Sequence, residues 1–245
     1  MLIPSSEGIA AVNAYALLVI AHIGVGTVAL ISFWIAGFAR KGSPLHKTAG
    51  KAYLIAMLGI LLTAIPMAGV FFARGRTGIG VFFTYLLVIT GTTMWLSWRA
   101  IRLKRDIGAF HNARYRQVAV LNLVAGAIVF AIGLSLGSML LSLFCWVGVV
   151  VGIGMLRQVR KLPSAGNWWL KEHYGAMLGN GVATHVAFLG IGMNGFLASF
   201  GIAWLQLVPW FAPVIVAVIA GIYLDRKYAP KARVAAPRAG VSVVA

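Results

Sequence analysis

Charge-free runs constrain this chain more than any other feature of its sequence. Lys, Arg, Asp and Glu are all missing from five runs: 8–39, 52–73, 77–98, 117–156 and 173–224. Each run exceeds the ~20 apolar residues with which a helix crosses the hydrocarbon of a bilayer. The last run holds 52 residues. A single helix of that size would be roughly 78 Å long, far longer than a bilayer is thick. The two longest runs must therefore fold back on themselves.

Turn-prone stretches interrupt both long runs, LSLGSM at 134–139 and NGFLASFG at 194–201. Breaking the runs there gives seven helices. The composition agrees, because 61% of the residues are hydrophobic and only 10% are charged, whereas soluble domains are about one-quarter charged. The sequence therefore predicts an all-α polytopic membrane helix bundle with seven transmembrane helices over 1–228. A disordered basic tail over 229–245 is expected to follow.

Basic residues orient the predicted bundle. Of the 21 Lys and Arg residues, 19 lie after predicted helices 1, 3, 5 and 7, and only Arg74 and Arg76 lie on the other side. The positive-inside rule then puts the N-terminus outside and the C-terminus in the cytoplasm of a bacterial inner membrane. Because the basic residues lie between the apolar runs, their expected role is to set the topology and to attract anionic lipid. We therefore expect no nucleic-acid partner. Glycine pairs such as Gly148 and Gly152 predict close helix packing and would permit an oligomer.

Five histidines are the candidate functional residues, and the topology sorts them into two layers. His46, His111 and His173 stand at the cytoplasmic entrances of predicted helices 2, 4 and 6, whereas His22 and His185 lie deep within spans. From the helical rise, the two deep histidines are expected at a similar depth. No carboxylate is available at that depth, and intramembrane imidazoles are rare and usually functional. This favours a neutral imidazole bound to a metal or to haem iron over a proton relay.

Glycine follows two of these histidines by one helical turn. Gly26 comes four residues after His22, and Gly50 comes four residues after His46, with Tyr53 on the same face. A haem bound by two histidines needs imidazoles on facing helices and small residues where the flat ring lies against a helix. The pattern predicts haem b, with a cofactor site built from residues of both layers: His22, His46, His111, His173, His185, Gly26, Gly50 and Tyr53.

Two stretches also carry a family resemblance, 21–57 and 98–117. They contain a histidine in helix 1, a K-G-x-x-x-H-x-x-x-G-x-x-Y entrance to helix 2 and an Asp-Ile pair ahead of a third histidine. The matching positions are His22, His46, Gly50, Tyr53, Asp106 and His111. In this respect about the first 140 residues resemble the bacterial integral membrane proteins grouped as the domain of unknown function 2306, although HNA (111–113) replaces the usual H-R-W. The resemblance implies a fold and a histidine layout and no activity. The layout is also similar, more loosely, to transmembrane b-type cytochromes.

Three functions remain open at this point. The leading hypothesis is an integral membrane b-type haem protein in transmembrane or quinone-linked electron transfer. As an enzyme it would be a membrane oxidoreductase. Its expected partners are a quinone or a redox protein. His46 with His111 or His173 would hold an inner haem, and His22 with His185 an outer one. The first alternative is a membrane enzyme with a transition metal ion held by three cytoplasmic histidines, His46, His111 and His173. The second is a transporter whose path the histidines line.

Overall fold

The computed structural model describes residues 6–160 and 167–228. These residues form helices and short connections, with no strand among them. The predicted all-helical class is therefore confirmed. The predicted tail at 229–245 lies outside the described residues.

The α-helices are listed here in chain order with their bounds: α1 Ser6–Phe38, α2 Pro44–Ala73, α3 Thr77–Arg102, α4 Ile107–Phe110, α5 Ala113–Ser135, α6 Met139–Arg160, α7 Trp168–Val186, α8 Asn194–Ala198 and α9 Val208–Tyr228. A π-helical segment, Ala187–Gly192, continues α7, and a 3₁₀ turn, Ala203–Gln206, precedes α9. Both turns expected within the long charge-free runs are confirmed. Each contains a glycine with positive φ, Gly137 at 60° and Gly201 at 68°, a conformation that costs glycine little.

Six helical stretches are long and apolar enough to cross a membrane: Asn13–Phe38, Pro44–Ala73, Thr77–Arg102, Ile107–Ser135, Met139–Val159 and Val208–Tyr228. These six stretches are consistent with a multi-pass membrane protein. The remaining predicted span corresponds to α7, which is more polar than the others. It carries Lys171, Glu172 and His173 in its first two turns and Asn180 near its middle.

Helix α3 is at the centre of the bundle. It packs against α2, α5, α6 and α7. In its apolar stretch 44% of the residues are buried, against 11% for α1 and 6% for α9. The α1–α2 and α5–α6 hairpins flank α3, and α7 lies between α3, α9 and α1. This arrangement puts α7, the most polar long helix, against the most buried one.

Small residues allow the α5–α6 hairpin to close. A Cβ added at Gly152 would lie 2.7 Å from the carbonyl oxygen of Ala119, and one added at Gly133 would lie 2.8 Å from the amide nitrogen of Ser142. The predicted role of glycine in close packing holds at these positions. It does not hold at Gly175, where an added Cβ meets no atom within 4 Å.

Candidate functional site

His46 lies at the start of α2 and contacts the end of α1. Ser43 caps α2, with its hydroxyl accepting a hydrogen bond from the His46 amide at 3.2 Å. The His46 Nδ1 lies 2.9 Å from the Ala36 carbonyl oxygen. The same carbonyl accepts a hydrogen bond from Lys41 Nζ at 3.1 Å, and Lys41 also donates to Gly37. These donors satisfy carbonyl groups of the last turn of α1, which lack partners within the helix.

His173, on the second turn of α7, approaches the same end of the bundle. Its Nδ1 lies 3.2 Å from the carbonyl oxygen of Ser97 on α3. His46 and Lys41 are both near enough to the His173 imidazole to interact with it electrostatically. Burial, together with the charge of Lys227, lowers the pKa of Lys41. We call His46 and His173, with Lys41 beside them, the His46–His173 site.

The hydrogen bonds of this site determine which ring nitrogen is free. A backbone carbonyl can only accept, so Nδ1 of His46 and of His173 must carry the proton. In the neutral ring this leaves the lone pair on Nε2, the atom with which imidazole commonly binds metals. Histidine ligands in proteins usually have their other ring nitrogen fixed in this way, which sets both the tautomer and the ring orientation.

A separate buried hydrogen-bond network lies further along α7. Thr184 lies 3.0 Å from the Tyr53 hydroxyl and 3.5 Å from Met57 Sδ, and it donates to the Asn180 carbonyl at 3.0 Å. The Asn180 side chain accepts a hydrogen bond from Thr93 of α3 at 3.0 Å. Tyr53 and Asn180 are fully buried. The polar side of α7 that carries Asn180 and Thr184 therefore faces the bundle interior.

His111 lies elsewhere, in a group of rings that we call the aromatic cluster: His111, Phe110, Tyr115 and Trp168. The His111 ring centroid lies 4.9 Å from that of Tyr115 and 6.3 Å from that of Trp168. Its Nε2 is buried without a hydrogen-bond partner in the described part of the chain, as are Tyr115 Oη and Arg99 Nε. Arg99 donates through Nη2 to the carbonyls of Ala109 and Phe110, at 2.7 and 3.0 Å.

Two helix caps, one on each side of His111 in the sequence, position it in this cluster. Asp106 caps α4 by accepting from the Ala109 amide at 2.8 Å, and Asn112 caps α5 by accepting from the Tyr115 amide at 3.2 Å. His111 therefore ends one short helix immediately before the next one begins. Asn112, which departs from the family pattern, has this capping role.

His22 and His185 are far apart. The His22 Nδ1 lies 2.7 Å from the hydroxyl of Thr63 on α2. The His185 ring packs edge-on against Phe33 and Trp34, with both centroid distances at 5.4 Å. Phe33 is eleven residues beyond His22 on α1, which is about 17 Å of helix. The structure thus does not bring together the two histidines expected to share one level. His185 lies beside Phe33 and Trp34 and not beside His22, so α7 is offset along α1 relative to the alignment that the sequence suggested.

The remaining ring contacts of the deep histidines are local. His185 Nδ1 lies 2.7 Å from the carbonyl of Gly181, one turn earlier on α7. Its Nε2 is buried with no partner among the described residues. The Thr63 hydroxyl is near two carbonyls of its own helix, at Gly59 and Ile60, as well as near His22. Each deep histidine is therefore held by a neighbour through Nδ1.

Two further observations bear on a cofactor. Among the described residues, no three or more His, Cys, Asp or Glu side chains group closely enough to hold a metal ion. A Cβ added at Gly26 or at Gly50 would meet no atom within 4 Å. The two glycines that follow histidines thus leave open space beside their helices. His46 and His173 each have a free Nε2 lone pair, and both residues lie at the same end of the bundle.

Several contacts of the structure were not identified from the sequence. The carbonyl groups of Ala36 and Ser97 accept from the imidazoles of the site, and Lys41 also donates to Ala36. In the interior, the Thr92 hydroxyl accepts a hydrogen bond from Asn122 at 2.8 Å. Backbone carbonyls leave no trace in the side-chain pattern. The adjacent threonines Thr92 and Thr93 were the one available signal, since two hydroxyls lie next to each other in an apolar helix.

No family model, curated protein or solved structure matches this chain.

Proposed function

We propose that this chain is a seven-helix inner-membrane protein that binds haem b at the His46–His173 site and transfers electrons. The six apolar stretches would cross the bilayer together with α7. Because α7 lies between α1, α3 and α9, its polar side is shielded from lipid by protein. The proposed orientation has the N-terminus outside, since 19 of 21 basic residues follow helices that end on one side.

The hydrogen bonds of the two imidazoles to backbone carbonyls are the observation that carries the proposal. The carbonyls of Ala36 and Ser97 hold the protons on Nδ1, so His46 and His173 each offer an Nε2 lone pair. Haem iron takes one or two axial ligands from the protein, and a histidine pair meets that need. A bare ion would take three or four protein ligands. The open space at Gly50, one turn from His46, supports a flat ring against α2.

The chain's own residues would hold and orient the cofactor. His46 and His173 would ligate it, with the hydrogen bonds to α1 and α3 keeping both rings in place. Lys41, beside the two rings, would favour the anionic propionate side of the group. Bound haem supplies one-electron chemistry. The charge of the basic end would attract an acidic redox partner and anionic lipid, and a quinone could approach from the bilayer.

Two earlier expectations remain predictions within this proposal. One is membership of the domain-of-unknown-function 2306 proteins, for which His22, His46, Gly50 and Tyr53 are matching positions. The other is a transition metal ion held by His46, His111 and His173, which would need a third ligand beyond the two imidazoles of this site. His111 is not part of the proposed ligand set, because its Nε2 is buried in the aromatic cluster.

Absorption spectra and metal content of the purified chain test the proposal. Protein made with sufficient haem should show the oxidised and reduced spectra of a low-spin b-type haem. His46→Ala and His173→Ala should each lower the bound haem by at least about tenfold. The matched control is His111→Ala, which removes an imidazole from the same end of the bundle and should retain the signal. Wild-type protein without haem, or an equal loss in the control, would contradict the proposal.

A further inference from the structure

An apolar cleft runs between α6 and α9, with α3 and α7 as its floor. Its volume is about 270 Å³. Small residues of two helices shape it, among them Gly175, Gly179 and Ala183 of α7 and Gly221 of α9. All of the cleft lies within helices that the proposed topology places in the bilayer.

Two threonines lie in the floor of the cleft, Thr90 and Thr93, and the hydroxyl of Thr93 is already paired within the protein. The Thr93 hydroxyl is engaged with the Asn180 side chain at 3.0 Å and lies 3.2 Å from the carbonyl of Ile89. The walls are aliphatic and aromatic, as at Phe144, Val147 and Val218. Such a surface suits a hydrocarbon chain, which restores the van der Waals contacts that an unfilled cleft would lack.

The length and position of the cleft match one leaflet. From Gly175 to Ala183 it extends eight residues along α7, or about 12 Å. Half of the hydrocarbon core of a bilayer is about 15 Å thick. Gly175 is one turn from Lys171, and Gly221 is one turn from Asp225. One end of the cleft thus meets the basic end of the bundle and the other end lies at mid-membrane depth.

Charge at the basic end indicates which lipid would fit. Lys171 forms an ion pair with Asp225 across α7 and α9 at 2.9 Å, and Tyr174 also donates to Asp225. Arg157 and Arg226, at the ends of α6 and α9, are exposed. Among the side chains that the structure describes at this end of α6, α7 and α9, the cations outnumber the carboxylates by four to two: Arg157, Lys171, Arg226 and Lys227 against Glu172 and Asp225. A phosphate group there would complement the surplus positive charge.

We propose that this cleft is a binding site for one anionic phospholipid of the cytoplasmic leaflet. An acyl chain lies between α6 and α9, and the phosphate lies near Arg157, Lys171 and Arg226. The inference rests on the proposed membrane topology and does not depend on the cofactor, so a chain that binds no haem would still bind the lipid.

Native mass spectrometry of the full chain tests this site, with phosphatidylglycerol and phosphatidylcholine as the probes. Wild-type protein should retain one phosphatidylglycerol and exchange it for phosphatidylcholine poorly. Gly175→Leu adds a side chain at the lining of the cleft, at a position where an added Cβ meets no atom within 4 Å. It should lower retention by at least about tenfold, or about 1.4 kcal/mol of binding free energy. Gly221→Val is a second filling variant, since a Cβ there lies 3.7 Å from Leu178 Cδ1, an ordinary contact.

Two matched controls separate the site from general lipid contact. Gly154→Leu changes an exposed glycine of α6 that also has no atom within 4 Å of an added Cβ, and it should retain the lipid. Replacing Arg157, Lys171 and Arg226 by Gln should abolish the preference for phosphatidylglycerol, whereas the same change at Arg40, Lys47 and Lys51 should preserve it. Equal retention in Gly175→Leu and wild type, no headgroup preference, or a co-purified quinone lost on filling the cleft would overturn the proposal.

Discussion

Two regions near one end of the bundle contain histidine and tyrosine side chains whose hydrogen bonding differs. At the His46–His173 site and the network beyond it, both histidines and the buried Tyr53 have hydrogen-bond partners. In the aromatic cluster, His111 Nε2 and Tyr115 Oη are buried without one among the described residues. Position at a helix entrance therefore does not by itself decide whether an imidazole can bind a cofactor. The hydrogen bond at Nδ1 and the surroundings of Nε2 decide it.

The largest loss of stability is expected when one ring is removed from the aromatic cluster. Tyr115 is fully buried, and its ring lies 5.2 Å from that of Phe110 and 4.9 Å from that of His111. Tyr115→Ala removes a packed aromatic ring, so it should lower the free energy of unfolding by about 3–5 kcal/mol. Reversible unfolding in mixed detergent micelles measures the change. A loss below about 0.5 kcal/mol, the size expected for an ordinary surface substitution, would show that the cluster is not packed as described.

The sharpest comparison between the regions removes one hydroxyl from each. Tyr115→Phe deletes an oxygen that has no partner among the described residues, so the free energy of unfolding should rise by about 1 kcal/mol. Tyr53→Phe deletes an oxygen that lies 3.0 Å from Thr184 Oγ1. It should lower the free energy of unfolding by about 0.6 kcal/mol, the average for such bonds within membranes. The same unfolding assay measures both variants.

The test depends on whether each variant raises or lowers the free energy of unfolding. If Tyr115→Phe destabilises the protein as much as Tyr53→Phe does, Tyr115 Oη has a partner, such as a bound water, and the two regions do not differ in the way described. Tyr85→Phe is a further control. Its hydroxyl donates to the Cys145 carbonyl at 2.6 Å and accepts from the Gly148 amide at 2.7 Å, so this variant should also be destabilised.

Much of the fold could be predicted from the sequence, because helices in a bilayer must be long, apolar and uncharged. The charge-free runs gave the helices, and the turns at Gly137 and Gly201 lie where the long runs were expected to break. The polar composition of α7 is the exception. Its residues Asn180 and Thr184 are paired with residues of other helices, so its role depends on packing that the sequence of one helix does not contain.

The candidate site could be predicted only in part. The sequence indicated that His46 and His173 stand at helix entrances on one side. It did not indicate that His111 turns into a group of rings, since that depends on the short helix α4 and on Trp168 of a distant segment. The expected match in depth of His22 and His185 also failed, because it assumed parallel helices with aligned ends. Helical rise fixes distance along one axis but not the offset between two helices.

Histidine-selective ¹⁵N NMR of the cofactor-free chain tests the central claim most directly. The account predicts that neutral His46 and His173 carry the proton on Nδ1 and a lone pair on Nε2, because backbone carbonyls of Ala36 and Ser97 accept from Nδ1. Assignment comes from the loss of one signal in each of His46→Gln and His173→Gln. On addition of haem, these two Nε2 signals should shift or disappear while that of His111 remains. Neutral rings with the proton on Nε2 at His46 and His173 would contradict the account, as would loss of the His111 signal alone.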